Sequence, residues 1–204
     1  MNFHLPFLRY SALLISDRET NAPTMKIDQH NFWVFGYGSL MWRPDFPHID
    51  AQRARVHGYH RSLCALSTGH RGTKDKPSLI VGLDRGGACI GRAYRVAPKQ
   101  TEEVAYYLRS REMKSGVYEP HHITIVLPTG EKTKALTYAV CRSSPLYTRK
   151  LPFGRQVELV LQGKGMSGTG LEYLESMVAH LDEMGISCEQ LRAVLKQALI
   201  QHRS

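Results

Sequence analysis

Glu112 falls four residues after Leu108 and eight after Val104 in the stretch "APKQTEEVAYYLRSREMKSG". On a helix these three positions share one row, so an acid occupies a place that its two apolar predecessors mark as facing the core. Such an acid leaves the helix, pairs with Arg111 or Arg92, or is held among apolar neighbours at the helix's negative end. In the last case burial disfavours the carboxylate, the helix dipole adds to the effect, and the pKa rises toward neutrality. A carboxylate tuned in that way is a general acid/base.

A second pattern lies in "FWVFGYGSLMWRP", Phe32 to Pro44. Phe32 to Phe35 have the β-branched and aromatic character of a buried strand, and Gly36 and Gly38 punctuate its end. Two glycines followed by Ser39 and Leu40 can turn successive backbone N–H groups toward one point, a nest for a carboxylate or an oxyanion. A lone Gly-x-Gly is most often only a turn. Beside a buried acid it describes a site, with donors on one side and a base on the other.

The elements that would hold these residues follow from pattern. "RVHGYHRSLCAL" and "SLIVGL" read as strands flanking the polar loop "STGHRGTKDKP". "IVGLDRGGACIGRAYRV" predicts a hairpin turning at Asp84-Arg85-Gly86-Gly87. "VYEPHHITIVLPTGEKTKALTYAV" predicts another at Pro128-Thr129-Gly130, with Ile123, Ile125 and Leu127 on one face. Between the hairpins, Pro98 suits a first helical turn, Glu102 and Glu103 suit its dipole, and Gly116 suits its stop. The last third is helical: "RQVELVLQGKG", "GLEYLESMVAHLDEMG", and "SCEQLRAVLKQALIQHR" with a capping box of Ser187 and Gln190. Strands around one helix followed by helices predict an α+β fold, a small barrel-like mixed sheet with helices outside.

At 204 residues and 42% hydrophobic the chain suffices for one core, expected over residues 25–204, with residues 1–24 as a poorly packed extension. The apolar run in that extension is broken by Arg9, Tyr10 and Ser11 and is too short to span a bilayer, which favours a soluble, cytoplasmic protein with no membrane partner. The net charge of +9 raises nucleic acid as a rival partner, but its clearest stretch, "RARVHGYHRS", alternates like a solvated strand face. Cys64, Cys89, Cys141 and Cys188 sit far apart with no metal-binding spacing, and His121 and His122 point to opposite faces of a strand, a poor chelate.

"FGYGSLMWRPDF", "STGHRGTKDKP", "GRAYRV", "YLRSREMKSGVY" and "GMSGTGLEYL" resemble, in this order, successive motifs of the ChaC-like γ-glutamylcyclotransferases, from about Phe32 to Met184. The resemblance implies a barrel of about six strands. It also implies a reaction in which the α-amine of a γ-glutamyl group attacks its own γ-carbonyl, giving 5-oxoproline and a released amine, Cys-Gly when the substrate is glutathione. It carries the γ-glutamyl-binding loop onto Tyr37, Gly38, Ser39 and Leu40 and the acid/base onto Glu112. Arg71 sits in a loop resembling the family's "DHRG" segment, where it could meet a substrate carboxylate, and Tyr118 and Tyr147 match tyrosines near the family's site. One carboxylate that takes a proton from the attacking amine and returns it to the departing one needs no metal and no cofactor. This chain has "GMSGTG" where family members read "GPSGRN", which keeps other γ-glutamyl peptides or amines open beside glutathione. A non-enzymatic regulator associated with cation transport is the remaining alternative.

Overall fold

The computed structural model describes residues 31–203, and the expected extension of residues 1–24 lies outside them. Among the described residues, β1 (Phe32–Gly36), β2 (Asp50–Ser67), β3 (Ser78–Val96), β4 (Tyr118–Val126) and β5 (Lys132–Val140) close a barrel in the order β1-β3-β2-β4-β5. β1 runs antiparallel to β3 and parallel to β5, which makes the sheet mixed as expected. All five residues of β1 are buried because both faces are covered. Trp33 and Phe35 join the main core, while Phe32 and Val34 pack with Tyr94 and the helix outside.

The expected hairpin at Asp84–Gly87 is corrected by a continuous 19-residue β3 paired along the 18-residue β2. Gly86 and Gly87 do take positive φ, 102° and 69°, as does Gly58 opposite them at 83°. The chain spends those positions on a bulge, with a register shift between His57 and Tyr59, and bends instead of reversing. Two expected strands fuse in this way, so the closed barrel has five strands where about six were anticipated. The hairpin of β4 and β5 turns where predicted, with Gly130 at φ 87° and Ile123, Ile125 and Leu127 buried.

α1 (Thr101–Glu112) begins after a 3-10 turn at Pro98–Gln100 and stops past a second, Met113–Ser115, at Gly116 with φ 70°. Val104 and Leu108 are buried against Val34, Leu40, Leu136 and Tyr138, and burial of each contributes about 1.5–3 kcal/mol. Leu40 belongs to the turn after β1, so the same contact sets the last turn of α1 beside that turn.

α2 (Phe153–Gln162), α3 (Gly170–Glu183) and α4 (Glu189–His202) cover the main core. Between α2 and α3 lies a ribbon of β6 (Lys164–Gly165) and β7 (Gly168–Thr169). The capping box expected at Ser187 is not formed: Ser187 Oγ donates to Glu189 Oε1 at 2.6 Å, and Cys188 is the N-cap. A full capping box opens α3 instead, between Thr169 and Glu172. No helix among the described residues is long and apolar enough to cross a membrane.

Candidate active site

A cavity of about 640 Å³ opens between the turn after β1, the loop after β2, the end of α1 and the β6–β7 ribbon. Tyr37, Gly38, Ser39, Leu40, Arg71, Glu112 and Tyr118 all line it. The sequence expectation thus converges on one place from four separate segments.

The turn after β1 owes its shape to close approach. A Cβ on Gly36 would lie 2.9 Å from Leu40 Cβ, so only glycine lets the chain fold back there. Gly38 does not use positive φ (φ −121°, ψ −136°), and a Cβ on it would stand 3.9 Å from the Tyr173 hydroxyl. Ser39–Met41 then form a 3-10 turn in which the amides of Met41, Trp42 and Arg43 return to the carbonyls of Gly38 and Ser39. The amides of Ser39 and Leu40, at the start of that turn, have no acceptor among the described residues.

Buried side chains fix this turn from behind. Arg61, the inner member of the basic strand, donates through Nε to the Tyr37 carbonyl and through Nη2 to the Ile90 carbonyl, both at 2.7 Å. Tyr94 donates to the carbonyls of Leu40 and Met41 at 2.8 and 2.9 Å. Arg53, Arg55 and His57 of the same basic strand are exposed, as a solvated face requires.

The Glu112 side chain is 16% exposed, and Arg111 Nε approaches its Oε1 at 3.2 Å. Burial raises its pKa above the usual carboxylate value, and the Arg111 guanidinium opposes the rise without cancelling it. Arg111 also reaches Asp45 Oδ2 (3.2 Å), the Tyr107 hydroxyl oxygen (2.8 Å), the Arg43 carbonyl (2.8 Å) and Ser39 Oγ (3.3 Å). One guanidinium therefore ties the acid to the glycine-bordered turn.

Three tyrosines form the opposite wall. Tyr37 donates to the Tyr138 carbonyl at 2.8 Å; Tyr118 donates to the Val81 carbonyl at 2.8 Å, and the Val81 amide donates to the Tyr173 hydroxyl oxygen at 3.3 Å. Burial pushes the pKa of Tyr37 and Tyr118 well up and that of Tyr173 to about 12. These phenols stay protonated at neutral pH and are not bases; Tyr37 and Tyr118 spend their protons on the two carbonyls, whereas the Tyr173 hydroxyl accepts from an amide and keeps its own proton.

Tyr147 does not line the cavity. Its hydroxyl donates to Asp84 Oδ2 at 2.7 Å, and Asp84 also pairs with Arg142 at 2.7 Å. The phenol is committed to a carboxylate that the barrel buries. Cys64 is also buried, and burial with the nearby Asp84 charge pushes its thiol up to about 12, so it is no nucleophile at neutral pH. Among the described residues no group of three His, Cys, Asp or Glu stands close enough to hold a metal ion.

Sequence reasoning did not single out Tyr173, Arg43 or the hub position of Arg111. Tyr173 was within reach of pattern: in "GLEYL" it follows Gly170 by three and shares the buried row of Met177 and Leu181. The fan of contacts made by Arg111 depends on the path of Arg43 to Asp45, which no local pattern carries.

The model of the family described as "ChaC-like protein" matches residues 32–201. The chain belongs to the ChaC-like family. Human glutathione-specific γ-glutamylcyclotransferase 1 is 36% identical over 151 residues, covering 72% of this chain and 68% of the human protein. The Escherichia coli glutathione-specific γ-glutamylcyclotransferase is 30% identical over 168 residues, covering 82% and 73%. A crystal structure of a yeast γ-glutamyl cyclotransferase specific to glutathione shares the fold, with a TM-score of 0.74 at 21% identity over 85% of this chain and 100% of that one. The five-stranded barrel and its helices are thus the ChaC-like fold, and the cavity described above is set in it.

Proposed function

We propose that this chain is a γ-glutamylcyclotransferase that cleaves glutathione to 5-oxoproline and Cys-Gly, with Glu112 as its acid/base. The observation that carries it is the placement of a half-buried carboxylate of raised pKa in the same cavity as the open amides of Ser39 and Leu40. The similarity to glutathione-specific relatives supports the choice of substrate.

The Ser39 and Leu40 amides, with the Tyr37 and Gly38 backbone behind them, hold the γ-glutamyl moiety curled. The Glu112 carboxylate takes a proton from the α-ammonium. The freed amine attacks the γ-carbonyl carbon, forming the ring N–C bond and an oxyanion. The bond from that carbon to the cysteinyl nitrogen then breaks as the proton held on Glu112 passes to the departing amine. The ring nitrogen, which still carries two protons after the attack, gives one to the regenerated Glu112 carboxylate to leave the lactam N–H, and that proton departs with the amine as its ammonium. Ring closure within one molecule gains from proximity, so the walls need only restrict the glutamyl chain. Tyr173, whose hydroxyl accepts from the Val81 amide, closes the wall as a donor, and Tyr118, whose proton goes to the Val81 carbonyl, closes it as an acceptor. The expectation of a single domain over residues 25–204 with a dispensable extension is kept in this proposal, as are a small-molecule partner and a cytoplasmic setting. Incubating the purified protein with glutathione should release equal amounts of 5-oxoproline and Cys-Gly; no 5-oxoproline would refute the assignment.

A further inference from the structure

The cavity carries more cation than its own carboxylates engage. Asp45 and Glu112 line it, and both are paired with Arg111. Arg43 and Arg71 also line it, and neither guanidinium makes a hydrogen bond or ion pair among the described residues. Arg71 is half-buried and lies over the ring of Tyr173, 5.6 Å from its centroid. Glu172 attracts it but is turned to the Thr169 amide at 2.7 Å. Burial and the nearby Arg43 both disfavour the charge on Arg71. Two unpaired guanidiniums facing one cavity repel each other until an anion enters between them.

We propose that Arg71 and Arg43 form a clamp for the free C-terminal carboxylate of the leaving peptide, and that this clamp selects peptide substrates over γ-glutamyl amines. This rests on the cyclotransferase activity proposed above. Tyr173 sets the distance. Its hydroxyl lies against Gly38 of the γ-glutamyl-binding turn, while Arg71 sits over its ring, one aromatic ring away from that turn. A two-residue leaving group spans at most about 7 Å, enough to bring its terminal carboxylate from the turn to the guanidinium. The β6–β7 ribbon holds the Arg71 loop in place: the amides of Met166 and Ser167 donate to the carbonyls of Gly69 and His70 at 3.0 and 2.8 Å. Gly165 permits this contact, since a Cβ there would lie 2.5 Å from the Gly69 oxygen. Arg71 takes a planar carboxylate through two parallel N–H groups, and Arg43, on the exposed rim, supplies the second charge.

The test compares kcat/KM for glutathione with that for glutathione whose glycine ends in a carboxamide, in the wild type, Arg71→Met and Arg43→Met. The wild type should prefer the free acid by about 10–100-fold, the range of a charge-assisted hydrogen-bonded pair. Arg71→Met should bring the acid down toward the amide, chiefly through KM, and Arg43→Met should do so in part. Arg43 is exposed, so its variant keeps the measurement open if Arg71→Met folds poorly. Equal wild-type turnover of acid and amide overturns the clamp alone. Loss of both substrates by the same factor in folded Arg71→Met also overturns it and makes Arg71 a prop for the Tyr173 ring. Absence of 5-oxoproline from either compound overturns the activity and the clamp with it.

Discussion

Arg111 Nε stands 3.2 Å from Glu112 Oε1, although neighbours on a helix normally point about 100° apart. The pair forms because α1 ends there and because Arg111 is drawn over the turn by Asp45, Tyr107 and Ser39. Burial and this cation act on the acid in opposite directions, and burial prevails.

The cation therefore restrains the pKa of the proposed base. Glu112 accepts the α-ammonium proton only when ionised, so activity is present above its pKa and falls as pH drops through it. Arg111→Met removes the restraint, raises that pKa further, and should move the acid limb of the kcat/KM profile to higher pH. A limb that stays in place or moves to lower pH contradicts the proposed coupling.

Stability should show the same shift with the opposite consequence. An ordinary unfolded Glu titrates near about 4.3, and the folded protein holds the Glu112 proton to higher pH. Between those two values the folded state binds more protons, so the wild type loses stability as pH rises through the window. Glu112→Gln lacks this loss, and its Tm relative to wild type should climb from acid to neutral pH. A difference that shrinks toward neutral pH would mean that the folded pKa is not raised.

Gly38→Val should leave the fold largely intact and abolish substrate binding. The new Cβ meets the Tyr173 hydroxyl at an ordinary 3.9 Å, so the cost falls on the cavity and not on the backbone. Thermal melting and direct binding of a γ-glutamyl ligand measure the two separately. Unchanged affinity in a folded variant would remove the turn from the binding site.

Arg61→Met should weaken both fold and binding, because two carbonyls lose a charged donor from a buried side chain. A loss of about 1.5–3 kcal/mol is expected, with a raised KM. Denaturant unfolding and steady-state kinetics check the pair of effects, and a variant as stable as wild type would show that Arg61 does not brace the turn.

Period and punctuation were enough to place α1, its inward row ending at Glu112, the β4–β5 hairpin and the strand that stops at Gly36. They failed at Gly86 and Gly87, where the residues demand positive φ but a bulge and a tight turn satisfy the demand equally. The choice is made by β2, whose Tyr59, His60 and Arg61 pair with Arg85, Asp84 and Leu83 and keep β3 running. At the site, Tyr37 to Leu40, Arg71, Glu112 and Tyr118 were legible because each sits in a local motif. Tyr147 lies off this cavity, and only the fold reveals that Asp84 takes its hydroxyl. Arg43 and Tyr173 gain their meaning from neighbours far along the chain.

The most direct measurement is 5-oxoproline release from glutathione by wild type, Glu112→Gln and Glu119→Gln. Glu119 is the internal control: it is 42% exposed and pairs with His121 at 3.1 Å on β4. Glu112→Gln should fold, bind glutathione and lose turnover by about 10²–10⁴-fold or more, as removal of a general acid/base does. Glu119→Gln should turn over like wild type. Near-normal release by folded Glu112→Gln, or a dead Glu119→Gln, would contradict the assignment of Glu112 as the acid/base.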